Sequence, residues 1–413
     1  MTTDTIAIIG AGHAGGRAAE AMRQAGFLGK IILVGEEAYV PYERPPLSKE
    51  LLATDAEVDK VFCNPPDYYV QNGIELRLET RANTINRAAK TVALESGETI
   101  AYDRLLIVTG GRVRRLDCPG AELEGLHYIR AISDALALRP ALKEGARVVV
   151  IGGGFIGLEV AASARQRGCV VTVVELADHV LARVADPAVG DLVAALHRKN
   201  GVRVMTGASV ARITGDGHVK DVVCADGKTI AADVVAVGIG ILPNVEIAAN
   251  AGLAVADGIT VDEFGRTSDP DIFAAGDVAY HLNPLLGRHL RLESWANAQN
   301  GGVAVARNMV VDPQPYAEIP WFWTDQFDLN LQIVGAPKSW DRLVTRGDPQ
   351  SGRCVVFYMD ASRVVGATAF NLGRDVRPCR QLVETGMAFT DAELANEDTR
   401  LKDMIRERAA SGL

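Results

Sequence analysis

Two stretches of this chain repeat one pattern, a short apolar run that enters Gly-x-Gly-x-x-Gly and continues into an alanine-rich segment. The first is Ile6-Ala7-Ile8-Ile9-Gly10-Ala11-Gly12-His13-Ala14-Gly15, and the second is Val148-Val149-Val150-Ile151-Gly152-Gly153-Gly154-Phe155-Ile156-Gly157. In a strand-turn-helix unit of this kind each glycine has a separate task. The first makes the tight turn, the second lets backbone approach a pyrophosphate, and the third lets the helix pack on the strand, whose partner helix N-terminus attracts the phosphates. Gly10, Gly12 and Gly15 fill these places in one copy, and Gly152, Gly154 and Gly157 fill them in the other. A single match is weak evidence, and a glycine-rich turn of purely structural meaning is its alternative. Two matches, each after a strand-like run and each followed by an acid ~20 residues on, are strong evidence for two dinucleotide-binding domains.

The acids are Glu36, after Ile31-Ile32-Leu33-Val34-Gly35, and Glu175, which closes Val173-Val174-Glu175. Each is placed to accept hydrogen bonds from an adenosine ribose, although either could be an ordinary surface acid. A carboxylate at Glu175 would repel the 2′-phosphate of NADP, and Leu176 and Ala177 supply no compensating arginine, so NADH is the expected second dinucleotide; Arg183 is the nearest basic residue that qualifies this.

Further strands are expected at Leu105-Leu106-Ile107-Val108, closed by Thr109-Gly110-Gly111, at Val170 to Val174, and at Val234-Val235-Ala236-Val237-Gly238. Another ends in Ala274-Ala275-Gly276-Asp277 and is assigned back to the first domain. From about Trp321 the chain becomes aromatic-rich and alternating, with candidate strands at Leu331 to Val334 and Cys354 to Tyr358. The fold class read from this order is α/β, with two Rossmann-like domains and a C-terminal α+β domain. The expected division is residues 1–112 with 241–320, residues 113–240, and residues 321–413.

Composition limits function mainly by exclusion. A net charge of −9 argues against nucleic acid as the principal ligand. No apolar run approaches bilayer-spanning length, and the N-terminal apolar run enters the glycine fingerprint without a basic segment before it, so a cytoplasmic location is expected. Cys63, Cys118, Cys169, Cys224, Cys354 and Cys379 are widely spaced, with no Cys-x-x-Cys or Cys-x4-Cys pair for a metal, a cluster or a redox disulfide. Reduced, mostly buried thiols are expected, and no metal site.

Two fingerprints, Thr109-Gly110-Gly111 between them and a late Ala275-Gly276-Asp277 together resemble the two-dinucleotide flavoproteins that include glutathione reductase. The resemblance implies FAD at the first fingerprint and the nicotinamide cofactor at the second. Gly276 would admit the ribityl-phosphate stretch of the flavin and Asp277 would bond ribityl hydroxyls, a helix-capping aspartate being the alternative. Disulfide reductases of this group carry cysteines beside the flavin. Here the corresponding segment reads Pro41-Tyr42-Glu43-Arg44-Pro45-Pro46-Leu47-Ser48-Lys49, and with Trp321-Phe322-Trp323-Thr324-Asp325-Gln326 it resembles the ferredoxin reductases of bacterial oxygenase systems over nearly the whole chain.

That resemblance implies FAD contacts at Ala14, Glu36, Arg44, Lys49, Ala82, Thr109, Gly110, Arg130, Asp277 and Trp295, the last within Glu293-Ser294-Trp295, and a cofactor-side position for Trp323. Ile156, Glu175 and Gly238 fall to the NAD site. It further implies that Lys49 pairs with Glu159, so that a cation stands where negative charge grows during hydride uptake; a purely structural ion pair is the other reading. The implied activity is electron transfer from NADH through FAD to a [2Fe-2S] ferredoxin that feeds a terminal oxygenase. From Trp321 onward 12 Lys and Arg face 13 Asp and Glu, a balance of −1 that leaves −8 on the rest, and Arg374, Arg377 and Arg380 cluster there as a candidate docking face. A rubredoxin reductase, or a redox-switched flavoprotein of the apoptosis-inducing type, are the alternatives.

Overall fold

A computed structural model describes residues 4–410. The chain divides into two compact units. One comprises the segment up to Pro45 with Glu57–Arg112 and Ile241–Glu318, and the other comprises Pro46–Ala56, Val113–Gly240 and the chain from Ile319 onward.

At the centre of the first unit lies a five-stranded parallel sheet. Its order is Ile272–Ala274, Arg104–Ile107, Thr5–Ile9, Lys30–Val34, Ile74–Arg77. A parallel sheet covered on both faces needs apolar residues at every position. Ile6, Ile8, Ile31 and Leu33 therefore enter one core with the helix His13–Gln24, whereas Ala7, Ile9, Ile32 and Val34 enter another. This second core is closed by the antiparallel strands Ala82–Asn86, Thr91–Leu94 and Thr99–Ala101, through Ile85, Val92, Leu94 and Ile100.

The second unit is built around a matching parallel sheet, ordered Arg203–Met205, Val170–Val174, Arg147–Ile151, Val234–Val237, Leu126–Tyr128. It also carries the C-terminal region, a five-stranded antiparallel sheet ordered Trp321–Gln326, Leu329–Val334, Arg363–Phe370, Arg353–Asp360, Arg342–Asp348. One face of that sheet, through Leu331, Ile333, Val356 and Tyr358, shares a core with Leu158 and with Val189 and Val193 of the helix Pro187–Lys199. This shared core places the C-terminal sheet and the second fingerprint in one unit.

The segment 46–56 belongs to the second unit as well, apart from the first-fingerprint sequence that precedes it. Its carbonyls are claimed there. Ser163 Oγ donates to Ser48 O at 2.7 Å, Arg167 Nη1 to Leu52 O at 3.2 Å, and Arg139 Nη1 to Ala56 O at 3.2 Å. No helix among the described residues is long and apolar enough to cross a membrane.

Because Leu331 is fully buried in the shared core, Leu331→Ala should cost about 2–5 kcal/mol. Hydrogen exchange is the discriminating measurement, with amides of both the C-terminal sheet and the helix Pro187–Lys199 losing protection. Loss confined to the sheet would mean that the two regions have separate cores.

Candidate functional site

In the first fingerprint the steric demand on each glycine is explicit. Gly10 has φ +116°, and a Cβ there would stand 2.2 Å from Val108 O; at Gly15 it would stand 2.0 Å from Gly10 O. No side chain could fit at either. Gly12 differs, for a Cβ there would meet only Arg44 Nη2, at 3.8 Å. The open space beside Gly12 adjoins the start of the helix His13–Gln24, whose N-cap is Gly12 and carries no side-chain cap. Uncapped amide donors and a helix N-terminus suit a phosphate group.

Around this turn the unit gathers several of the residues expected from sequence. Gly276, at φ +71°, approaches so closely that its Cβ would lie 3.2 Å from Ala14 Cβ. Arg44 donates to Glu37 Oε1 at 2.8 Å and to the Tyr42 hydroxyl at 2.9 Å, and Tyr42 donates to Glu37 Oε2 at 2.5 Å. Glu37 was not among the expected residues, and the adjacent Glu36 was. The structure gives them different surroundings, with Glu36 65% exposed and 3.4 Å from Arg81 Nε. Only the fold could reveal that Tyr42, fully buried, presents its hydroxyl to Glu37.

Thr109 and Gly110 are clipped by a residue far along the chain. Thr109 Oγ1 donates to Asn244 O at 2.8 Å, Asn244 Nδ2 donates to Thr109 O at 3.0 Å, and the Asn244 amide donates to Gly110 O at 3.0 Å. Ala82 opens the strand Ala82–Asn86 and packs on the core. Glu293 is paired with Arg291 Nη1 at 2.7 Å, and Ser294 Oγ accepts the Asn297 amide at 3.1 Å. Beside them the Trp295 and His13 ring centres lie 5.2 Å apart, and His13 Nε2–H donates to Gln299 Oε1 at 2.7 Å. Burial lowers the pKa of His13.

The second fingerprint repeats the geometry. Gly152 has φ +107° and a Cβ there would lie 2.4 Å from Gly238 O; at Gly157 it would lie 2.0 Å from Gly152 O, and at Gly238 it would lie 3.1 Å from Gly157 N. A Cβ at Gly154 would meet nothing within 4 Å. Glu175 is held rigidly, accepting the Gly153 amide at 2.5 Å and the Ala177 amide at 2.7 Å. Ile156, on the first turn of the helix Phe155–Gln166, is 40% exposed. Arg183 lies over Gly240, with Nη1 2.8 Å from where a Cβ would be.

Also in the second unit, Lys49 and Glu159 meet at 2.7 Å, with Glu159 only 3% exposed. Thr324 Oγ1 donates to Glu159 Oε1 at 2.6 Å, and Ser48 Oγ donates to Oε2. Behind them Gln326 Nε2 donates to Thr324 Oγ1 at 3.1 Å, and His197 Nε2 meets Gln326 Oε1 at 2.8 Å. The sequence paired Lys49 with Glu159; Ser48, Gln326 and His197 came only from the structure.

Known proteins are similar to this chain over nearly its whole length. Residues 4–302 match the pyridine nucleotide-disulphide oxidoreductases, and residues 321–405 match the reductase C-terminal family. The chain is 43% identical to the anthranilate 1,2-dioxygenase system ferredoxin–NAD(+) reductase component of Burkholderia cepacia, covering 98% of this chain and 100% of that one. Identity is 39% to the biphenyl dioxygenase system ferredoxin–NAD(+) reductase component of Paraburkholderia xenovorans (strain LB400), covering 98% and 99%. Among solved structures, the covalent putidaredoxin reductase–putidaredoxin complex superposes with a TM-score of 0.96 at 36% identity, covering 99% of this chain and 100% of that one. The chain belongs to the pyridine nucleotide-disulphide oxidoreductase family.

Membership in this family carries FAD and NAD(P)H binding, and the two glycine cradles fit two dinucleotides. This oxidoreductase has no disulfide: all six cysteines are free, and burial pushes the thiols of Cys354 and Cys63 up to about 11 and about 12. Among the described residues no cluster of His, Cys, Asp or Glu could hold a metal ion. Arg130 and Trp323 fall in the second unit. The Arg130 amide donates to Asp134 Oδ2 at 2.9 Å, and Trp323 stacks on Trp321 at 5.1 Å.

The two inner glycines of the second cradle should respond oppositely to alanine. Gly154→Ala has room and should leave the thermal midpoint essentially unchanged, while a pyrophosphate drawn to this open turn should bind more weakly. Gly157→Ala must move backbone, and should cost about 1–3 kcal/mol before any ligand is added. Calorimetry of both variants without nicotinamide nucleotide checks the contrast.

Proposed function

We propose that this protein is a ferredoxin–NAD(+) reductase that takes hydride from NADH and delivers electrons singly to a [2Fe-2S] ferredoxin serving an oxygenase. Full-length similarity to reductase components of two dioxygenase systems, and to a reductase solved in covalent complex with its ferredoxin, supports the activity. One observation carries the reading of the site. In the segment 41–49 there is no cysteine, Lys49 is held 2.7 Å from a buried glutamate, and the cysteines of the chain are free thiols.

In this reading the first cradle, Gly10, Gly12, Ala14 and Gly15, holds the FAD pyrophosphate. Arg44, Thr109, Gly110, Gly276, Asp277 and Trp295, with Glu36 and Ala82, contact the rest of the cofactor. The second cradle, with Ile156, Glu175 and Gly238, holds NADH. FAD supplies the conversion of a two-electron donor into a one-electron donor. The protein's part is electrostatic and positional. Lys49 presents a cation toward developing negative charge, and Glu159 fixes where that cation points.

Glu175 favours NADH for a physical reason. Both its oxygens are committed to backbone amides, so the carboxylate cannot swing aside for a 2′-phosphate, and the repulsion is built in. Rapid mixing with NADH and NADPH should show NADPH reducing the protein at least about tenfold less efficiently, and Glu175→Ala should narrow the gap. Equal rates in the unaltered protein would overturn this assignment.

For the ferredoxin, the basic side of the C-terminal region is the expected contact. Arg374, Arg377 and Arg380 lie on the helix Gly373–Thr385, with Arg374 81% exposed. Exposed charges of this kind steer association. Replacing all three with glutamate should slow ferredoxin reduction by about tenfold or more at low salt and leave NADH-dependent dye reduction intact. Parallel loss of both activities would count against a docking role.

A further inference from the structure

Behind the Lys49–Glu159 pair runs a buried line of polar side chains whose direction is set by chemistry. Thr324, Gln326 and His197 are 0%, 1% and 0% exposed. An amide nitrogen can only donate, so at the 3.1 Å contact from Gln326 Nε2 the Thr324 hydroxyl accepts, and its single proton must go to Glu159 Oε1. Turning the Gln326 amide over would leave the Thr324 hydroxyl between two acceptors, so its oxygen faces His197. Gln326 Oε1 then accepts from His197 Nε2–H. His197 Nδ1 has no partner among the described residues, and the ring edge contacts Phe327 at 5.2 Å. A bare lone pair is cheaper there than an unsatisfied N–H. Burial also lowers the His197 pKa, which keeps the ring neutral.

Every donor in this line points toward the carboxylate. Glu159 Oε1 receives Thr324 and Lys49, and Oε2 receives Ser48, whose own carbonyl is claimed by Ser163 at 2.7 Å. Thr324, Gln326 and His197 are all buried, so each depends on its protein partners for hydrogen bonding. Thr324 and Gln326 are two apart on the strand Trp321–Gln326 and so share one face, while His197 sits in the last turn of the helix Pro187–Lys199.

We propose that His197, Gln326 and Thr324 are positioning residues that, through a unidirectional hydrogen-bond line, fix the Glu159 carboxylate and thereby aim the Lys49 ammonium for hydride transfer. The proposal rests on the reading of Lys49 as the cation that meets the developing charge. Removing a member loosens Glu159 and lets the ammonium wander, which affects the rate of the hydride step more than the affinity for NADH.

The test uses the flavin-loaded protein, with rapid mixing against NADH to separate the limiting rate of reduction from the apparent dissociation constant. Thr324→Val and Gln326→Leu should each lower the limiting rate about tenfold and change the dissociation constant less than about twofold, with Thr324→Ser restoring the rate to within about twofold. A second measurement does not depend on turnover. With the histidines labelled by nitrogen-15, the His197 ring should show the neutral Nε2–H tautomer at about pH 8, and should lose that single signature in Gln326→Leu. Lys49→Met and Glu159→Gln report on the underlying reading. If neither slows reduction, the role of the pair fails and the proposal falls with it. If both slow reduction while Thr324→Val and Gln326→Leu keep the parent rate, the pair stands and the positioning line is overturned.

Discussion

Burying a carboxylate costs far more than any single contact returns unless donors surround it, and Glu159 meets that demand with side chains from two other, distant parts of the chain. Ser48 and Lys49 come from the short segment after the first fingerprint, Glu159 from the second fingerprint helix, and Thr324 from the first strand of the C-terminal sheet. That demand explains why residues 46–56 join the second unit. It also explains why the strand Trp321–Gln326, which reads as aromatic and amphipathic, turns Thr324 and Gln326 inward.

The two cradles show how one steric rule yields unequal sites. Gly10 with Gly15, and Gly152 with Gly157, meet the same constraint, a backbone oxygen about where a methyl group would stand. The acids that follow diverge. Glu175 is clamped by two amides, whereas Glu36 lies open beside Arg81 and its neighbour Glu37 locks Arg44 and Tyr42. Spacing alone did not show that Glu37 would hold Arg44 and Tyr42, because that contact depends on where the buried Tyr42 ring lies.

All six cysteines are free thiols. The free thiols are largely buried, and burial holds several above the range in which a thiolate forms. Lys49 and Glu159 form an ion pair within a hydrogen-bond network. Such a site can stabilise charge and set geometry but cannot store electrons, in keeping with an enzyme whose acceptor is another protein.

Much of the architecture was written locally. The duplicated strand-turn-helix units, the parallel strands and the change to an alternating C-terminal sheet follow from apolar runs, glycine spacing and side-chain period, all properties of neighbouring residues. The Lys49–Glu159 partnership was also foreseen, from resemblance in two recognisable segments. The rest was decided only when remote residues met. Asn244 clips Thr109 and Gly110, Glu37 takes the role beside Arg44, and Gln326 and His197 complete the line behind Glu159. Each is an ordinary polar residue with no periodic or spaced signature, because its meaning comes from satisfying a buried partner that lies elsewhere in the chain. Sequence by itself determined the domains' kind and their glycine turns, since local sterics suffice for these; tertiary structure decided which polar groups hold the site together, since desolvation acts only between groups that folding has brought into contact.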